Sequence, residues 1–174
     1  RGGLIVTKQN IYLIGFMGAG KSTVGVLLAQ ALGMGYVDLD EEIVKQHQRS
    51  INEIFSEEGE QTFRRYETEV LQSFSEKEGL VFSTGGGIIG AEENWQIMNS
   101  CGVVIFLACS WEILLERLQS SSERPLVNRN DVDTLRALYD RRLVRYQKAD
   151  FQVNVDHAAP EDVVLKIQEL LVQG

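Results

Sequence analysis

The stretch IYLIGFMGAGKS, residues 11–22, decides the fold because an apolar run leads directly into a glycine-rich loop. Its last eight residues match G-x-x-x-x-G-K-[ST], a loop whose backbone N–H groups surround a phosphate. Apolar residues then recur at positions 24, 27, 28, 31 and 32, which is the spacing of an amphipathic helix. Gly33 is positioned to end that helix. A strand before the loop and a helix after it are the context that this motif requires, so the sequence predicts nucleotide binding.

The loop residues have separate predicted roles. Lys21 would reach the β- and γ-phosphates, and the hydroxyl of Ser22 would hold Mg²⁺. The N-terminus of the following helix adds a partial positive charge. The predicted phosphate contacts are Gly18, Ala19, Gly20, Lys21, Ser22 and Thr23. The motif alone indicates a nucleotide and names no reaction.

Length and composition exclude several classes of protein. The 174 residues suit one domain, here residues 1–174, and the formal net charge of −8 argues against nucleic-acid or anionic-membrane binding. No apolar run approaches the ~20 residues that a membrane-spanning helix needs. Two cysteines eight positions apart and two histidines favour neither a zinc site nor a disulfide framework.

Apolar runs and helical patterns alternate along the whole chain. Several of the runs are continuous rather than alternating, as expected of strands buried on both faces. This alternation predicts an α/β fold, namely a three-layer α/β/α arrangement around a five-stranded parallel sheet. Helices are expected after Ser50, which begins a capping box with Glu53, and after Gly59. The remaining helices are expected from 113, from 131 to 146 and from 161 to 172. The predicted strands are Ile11–Ile14, Tyr36–Leu39, Leu80–Ser83, Val103–Leu107 and Phe151–Val155.

Two aspartates, Asp38 and Asp40, end the second predicted strand. The strand at 103–107 ends without a carboxylate and no N-K-x-D tetrapeptide occurs, which argues against motor ATPases and GTPases. The carboxylate on the Mg²⁺ side is therefore expected from this pair. Because the strand period is two, both side chains should lie on one side of an extended strand, where one could hold metal-bound water and the other accept a proton. The alternative is a solvated pair that caps the next helix.

Three further segments carry candidate functional residues. Arg64 and Glu67 lie three positions apart on a helix, so Glu67 could hold Arg64 ready for a substrate carboxylate, or the two could form an ordinary surface pair. Gly85–Gly87 follow the third strand and would allow a small ligand to approach the backbone. The polar, non-periodic segment 119–130 is long for a connection and is expected to be a lid, or else a surface loop.

Taken in order, these residues resemble the shikimate kinase family. The resemblance covers residues 11–171 and implies a P-loop, nucleoside monophosphate kinase-like fold with a helical substrate-binding subdomain at about 38–68. The implied reaction is the ATP-dependent phosphorylation of the 3-hydroxyl of shikimate, in aromatic amino-acid biosynthesis. The matching segments are Gly15–Ser22, Asp38 with Asp40, Phe63-Arg64 with Glu67, Gly85–Gly87, Arg124-Pro125-Leu126 and Arg141–Tyr146.

The resemblance also implies a role for individual residues. Asp40 would bind the ring hydroxyls and act as the candidate base, and Asp38 would hold Mg²⁺. Arg64 and Arg142 would bind the substrate carboxylate, with Glu67 fixing Arg64. The other implied contacts are Gly86 and Gly87 to the ring, Arg124 to the transferring phosphate, and Arg117 and Pro160 to adenine.

The implied cofactors and partners are ATP, Mg²⁺ and shikimate, with no nucleic acid and no membrane. A monomer in the cytoplasm is expected, or in a plastid if a transit peptide was removed. The segment 117–148 carries eight Lys or Arg against four Asp or Glu, so the positive charge collects where anions would bind. Two alternatives remain open: another small-acceptor P-loop kinase, such as one for gluconate, and a nucleotide-binding module without catalysis.

Overall fold

One five-stranded parallel sheet organises the chain, in a computed structural model that describes residues 9–120 and 129–173. The strand order is β2-β3-β1-β4-β5, which places β1 at the centre. All four strand pairs are parallel, so the carboxyl ends of the strands meet at one edge of the sheet. The strands are β1 (Asn10–Ile14), β2 (Gly35–Asp38), β3 (Leu80–Ser83), β4 (Gly102–Ala108) and β5 (Phe151–Asn154).

Helices connect the strands. Within the two described ranges, none of them is long and apolar enough to span a membrane. A short 3₁₀ turn over Ile88–Gly90 follows β3. The helices are α1 (Lys21–Leu32), α2 (Leu39–His47), α3 (Ile51–Glu58), α4 (Glu60–Ser75), α5 (Glu92–Cys101), α6 (Trp111–Ser120), α7 (Arg129–Tyr146) and α8 (Pro160–Gln173).

The central strand β1 is apolar except for Asn10, and its position in the fold explains this composition. Every residue of β1 is buried, because helices cover both faces of the sheet. The ring of Tyr12 stacks on Phe82 of the neighbouring strand with centroids 4.7 Å apart. The predicted five-stranded α/β sheet is confirmed, and its strand bounds differ from the prediction by at most one residue at each end.

Two helices end or begin at the capping residues that the sequence predicted. Gly33 takes a left-handed conformation, φ 67°, and its N–H bonds to the last turn of α1. Ser50 accepts a hydrogen bond from the backbone N–H of Glu53 at 3.1 Å, a cap that is typically worth about 1 kcal/mol.

Helix α5 was not predicted from the sequence. It begins Glu92-Glu93-Asn94, too polar a pattern to mark an apolar stripe. Trp95 and Met98 of this helix are buried in the core, and the buried Asn94 amide adds a polar contact by donating to the carbonyl of Ile88 at 2.8 Å. Thr68 of α4 donates to the same side chain, also at 2.8 Å.

The prediction that Asp38 and Asp40 lie on one side of a strand is wrong. Strand β2 ends at Asp38, whose side chain accepts a hydrogen bond from the backbone N–H of Glu41 and so caps α2. Asp40 lies in the first turn of that helix. The helix starts this early because Asp is a strong N-cap residue and because Leu39 and Ile43 are both buried in the core.

Candidate active site

A cavity of about 1000 Å³ lies at the carboxyl edge of the sheet. It is bounded by the phosphate loop, the start of α2, helix α4, the glycine segment after β3, and helices α6 and α7. The edge position follows from the parallel sheet, since ligands of such folds bind beyond the carboxyl ends of the strands. The predicted site residues that line it are Gly18, Lys21, Ser22, Asp38, Asp40, Arg64, Glu67, Gly86, Gly87, Arg117 and Arg142.

Other predicted residues do not line this cavity. Ala19, Gly20 and Thr23 belong to the phosphate loop and the first turn of α1 without facing the space. Pro160 begins α8, beyond the end of β5, and is also absent from the lining. Arg124 and the centre of the predicted lid lie outside the described residues.

The phosphate loop takes the conformation that its glycines permit. Gly18 and Gly20 have φ values of 84° and 92°, in the left-handed region that other residues rarely adopt. The ammonium group of Lys21 turns back over the loop and donates to the carbonyl oxygen of Gly15. Burial lowers the pKa of Lys21 to about 8, and the nearby carboxylate of Asp40 opposes that effect. A bound phosphate would therefore stabilise the charged form of Lys21 further.

The hydroxyl of Ser22 is held beside a carboxylate. It donates to Oδ2 of Asp38 at 3.2 Å and lies 3.4 Å from the hydroxyl of Ser83. The hydroxyl of Tyr36 is buried beside the hydroxyls of Ser22 and Ser83. These oxygens fit a hard divalent cation. No group of three His, Cys, Asp or Glu side chains that could hold a metal occurs in the described ranges, so phosphate and water would complete its ligands.

The predicted pair of Arg64 and Glu67 forms, and it is not an ordinary surface pair. Nη1 of Arg64 lies 3.2 Å from Oε1 of Glu67, whose side chain is 1% exposed. Arg64 itself is 32% exposed, and a second carboxylate, Glu60, lies 3.5 Å away on the solvent side. The guanidinium is thus fixed from within α4 while part of it faces the cavity.

The three glycines after β3 have a role that the sequence did not predict. A methyl group at Gly87 would overlap the guanidinium of Arg64, and one at Gly86 would lie 2.8 Å from Nη1 of Arg142. At Gly85 the methyl would lie 2.9 Å from Oδ1 of Asp40. The glycines therefore make room first for the charged side chains of the site, which pack directly against the backbone.

Arg142 enters the cavity from α7. Its guanidinium lies over the ring of Phe16, 5.8 Å from the centroid, and burial lowers the pKa of this side chain. Arg142 takes part in none of the salt bridges found within the described parts of the chain. A half-buried guanidinium without a salt-bridge partner among the described residues is suited to bind an anionic ligand.

Arg117 borders the cavity beside the phosphate loop. It extends from α6, and its Nη1 donates to the carbonyl oxygen of Gly18 at 2.7 Å. This bond ties α6 to the phosphate loop and leaves Arg117 at the loop's outer rim, where its side chain is exposed.

Several lining residues were not assigned a role in the site from the sequence. Asn52 and Phe55 of α3 border the cavity, as do Met17, Ile51, Phe63, Ser83, Thr84 and Leu118. Thr84 is buried and donates to the carbonyl oxygen of Leu13, which fixes the start of the glycine segment against β1. Its position directly before three glycines was a usable signal, whereas α3 reaches the site only through tertiary packing.

The buried carboxyl of Glu67 should make stability depend on pH. Burial raises its pKa from 4.5 to about 7, against the opposing effect of Arg64, while Asp40 raises it and Arg142 lowers it. The folded chain then binds this proton more tightly than the unfolded chain, so the contribution of Glu67 to stability is lost as pH rises through this interval. We expect the free energy of unfolding to fall by about 2–3 kcal/mol between about pH 5 and pH 8 from this group.

Urea unfolding of the wild type and of Glu67→Gln at both pH values measures this effect. The difference between the two proteins cancels the other groups that titrate in the same interval. Parallel stability profiles for the two proteins would contradict the assignment to Glu67.

Comparison with known proteins identifies the family. The family model described as shikimate kinase matches residues 17–172. A shikimate kinase from Aquifex aeolicus (strain VF5) is 46% identical over 159 residues, which cover 91% of this chain and 94% of that relative. The chain belongs to the shikimate kinase family. The solved structure of the Acinetobacter baumannii shikimate kinase in complex with shikimate has a TM-score of 0.89 and 36% identity, and it covers 99% of this chain and 98% of that one.

Family membership confirms the predicted resemblance, the nucleoside monophosphate kinase-like fold and the prediction of an ATP-dependent shikimate kinase. It favours that prediction over the two alternatives. A gluconokinase from Sinorhizobium meliloti 1021 shares only the fold with this chain, at 18% identity and a TM-score of 0.61. Shikimate kinases phosphorylate an alcohol group, so the chain is a kinase of a small acceptor rather than a binding module.

Proposed function

We propose that this shikimate kinase binds its acceptor between two arginines, Arg64 and Arg142, with the reacting hydroxyl directed toward Asp40. The observation that carries the proposal is their convergence on one backbone segment. The Arg64 guanidinium packs on Gly87, the Arg142 guanidinium packs on Gly86, and Asp40 packs on Gly85. An acceptor with a carboxylate at one end and hydroxyls at the other matches this order of charges.

The phosphate loop and the acceptor pocket divide the reaction between them. Lys21 would neutralise the β- and γ-phosphate oxygens, which lowers the repulsion between ATP and the attacking hydroxyl. Asp40 would accept a hydrogen bond from that hydroxyl and take its proton as the O–P bond forms. ADP and shikimate 3-phosphate are the products.

Mg²⁺ would be held by Ser22 and, through water, by Asp38, whose oxygens lie 3.2 Å apart. When bound, the ion would offset negative charge on the β- and γ-phosphates. The predicted adenine contacts of Arg117 and Pro160, and the predicted phosphate contact of Arg124, rest on the family resemblance and remain predictions. The same is true of the expected monomer and of the cytoplasmic location.

An assay of ADP release tests the proposed function. The purified chain is supplied with ATP and Mg²⁺ and offered shikimate, gluconate or a nucleoside monophosphate. We expect turnover with shikimate and only background release with the other acceptors. Preferred turnover of gluconate, or ATP binding without turnover on any acceptor, would overturn the proposal.

Replacing Arg142 by alanine should weaken acceptor binding selectively. A hydrogen bond to a charged group is worth about 1.5–3 kcal/mol, so the KM for shikimate should rise about 10–100-fold. The KM for ATP should change little, because Arg142 lies on the acceptor side of the cavity, against Gly86. Arg141→Ala is the matched control, since that neighbouring side chain is exposed and does not line the cavity. Equal losses for shikimate and ATP would contradict the proposed contact.

A further inference from the structure

Tyr146, the last residue of α7, is a buried tyrosine whose hydroxyl reaches the acceptor side of the site. Its side chain is 1% exposed, and its ring stacks on Phe106 of β4 with centroids 4.9 Å apart. The hydroxyl donates to the carbonyl oxygen of Gly86 at 2.8 Å. A long-range hydrogen bond therefore joins the end of α7 to the glycine segment that bounds the acceptor pocket.

The same hydroxyl lies beside the side chain of Arg142. The two residues are four positions apart on α7 and share one face of the helix. A methyl group placed at Gly86 would lie 2.8 Å from Nη1 of Arg142 and 3.7 Å from the Tyr146 hydroxyl, so both groups converge on this one backbone position. Burial raises the pKa of Tyr146, and the Arg142 guanidinium opposes that rise, as expected for close neighbours.

The other groups around Arg142 leave Tyr146 as a polar neighbour that can orient its guanidinium. No salt bridge within the described ranges fixes Arg142, in contrast to Arg64, which Glu67 holds at 3.2 Å. The Phe16 ring limits the guanidinium on one side. The hydroxyl of Tyr146 is a polar group that can orient it without neutralising its charge.

We propose that Tyr146 is a positioning residue for acceptor binding, which holds Gly86 and the Arg142 guanidinium in the geometry that receives the substrate carboxylate. The inference rests on the proposed function, because it takes Arg142 to be the carboxylate ligand. Tyr146 does not line the cavity and acts through its two neighbours. Its contribution is made before the ligand arrives, so it should lower the cost of binding rather than speed the chemical step.

Tyr146→Phe tests the proposal because it removes the hydroxyl and keeps the ring that stacks on Phe106. We expect the KM for shikimate to rise about tenfold, which corresponds to the loss of one buried hydrogen bond. The kcat should stay within about twofold, and the KM for ATP should not change, because uniform binding rather than transition-state stabilisation is lost. In an Arg142→Ala background the same substitution should raise the KM for shikimate by less than about twofold, since the two residues act as one unit.

Tyr139→Phe is the matched control. Tyr139 is on the same helix, two turns earlier, and its hydroxyl also donates to a backbone carbonyl, that of Cys109, at 2.9 Å. It does not line the cavity. Both substitutions should lower the urea midpoint to a similar degree, and only Tyr146→Phe should raise the KM for shikimate.

Three results would overturn the inference. The first is an unchanged KM for shikimate in Tyr146→Phe. The second is an equal rise in KM for shikimate and ATP, which a general loss of structure would produce. The third is a full additional effect in the Arg142→Ala background. Failure of the wild type to phosphorylate shikimate would instead overturn the proposed function, and this inference with it.

Discussion

Replacing Asp40 by asparagine should lower kcat about 10²–10⁴-fold, the range that a positioned general base contributes. Asparagine keeps the size of the side chain, and Asp40 packs against Gly85, so the backbone need not move. What is lost is the ability to accept the proton of the acceptor hydroxyl. The KM for ATP should remain close to that of the wild type, because the phosphate loop and Lys21 are unchanged.

Steady-state measurement of ADP release, together with equilibrium binding of ATP, checks this expectation. Glu41→Gln is the control, since it removes a carboxylate from the same turn of α2 at an exposed position outside the cavity. The control should keep near wild-type turnover. If Asp40→Asn kept more than about a tenth of the wild-type kcat, its role would be to orient the acceptor and not to accept a proton.

Replacing Lys21 by alanine should lower kcat about 10²–10³-fold, the usual loss when one preorganised electrostatic contact to the reacting group is removed. The ammonium group lies over the phosphate loop and donates a hydrogen bond to the carbonyl oxygen of Gly15. Burial at this position lowers the pKa of Lys21 to about 8. A charge held in such surroundings acts strongly on a phosphate because little water screens it. The KM for shikimate should change less than kcat.

The control for this change is Lys45→Ala, which removes a lysine that is 69% exposed and paired with Glu42 on the surface of α2. Loss of a surface ion pair of this kind costs about 0–1 kcal/mol of stability and should not affect turnover. Thermal unfolding of both variants excludes a folding defect as the cause. Turnover by Lys21→Ala at more than half the wild-type rate would contradict the assignment of the phosphate loop.

The sequence predicted well the features that depend on local patterns. The strand, loop and helix around Gly15–Ser22 were correct because the motif specifies both its backbone and its context. The pair of Arg64 and Glu67 was correct because a spacing of three on a helix brings side chains together. The ends of α1 and α3 followed from single residues, Gly33 and Ser50, whose capping chemistry is local.

Predictions that required knowledge of packing were less complete. Asp38 and Asp40 do reach one cavity, but through a strand that ends in a helix cap and not through a shared strand face. Helix α5 was missed because its buried face carries few apolar residues, mainly Trp95 and Met98, beside a buried asparagine that bonds to Ile88 and Thr68. The Asp38 cap is a local contact with Glu41 and matches the alternative that the sequence left open, whereas the contact between Asn94 and Thr68 joins two helices and is not expressed in the local pattern.

By itself the sequence determined the phosphate loop, the five-stranded α/β sheet and the set of charged residues, since each depends on spacing within a few turns or strand residues. Only the tertiary structure decided what those charges touch. The side chains of Asp40, Arg142 and Arg64 come from three different helices and pack on the backbone of Gly85–Gly87. The hydroxyl of Tyr146, at the end of α7, donates to the carbonyl oxygen of Gly86 in the same segment. The physical reason is that close packing of charged groups on a bare backbone depends on distances between remote segments, which the fold alone sets.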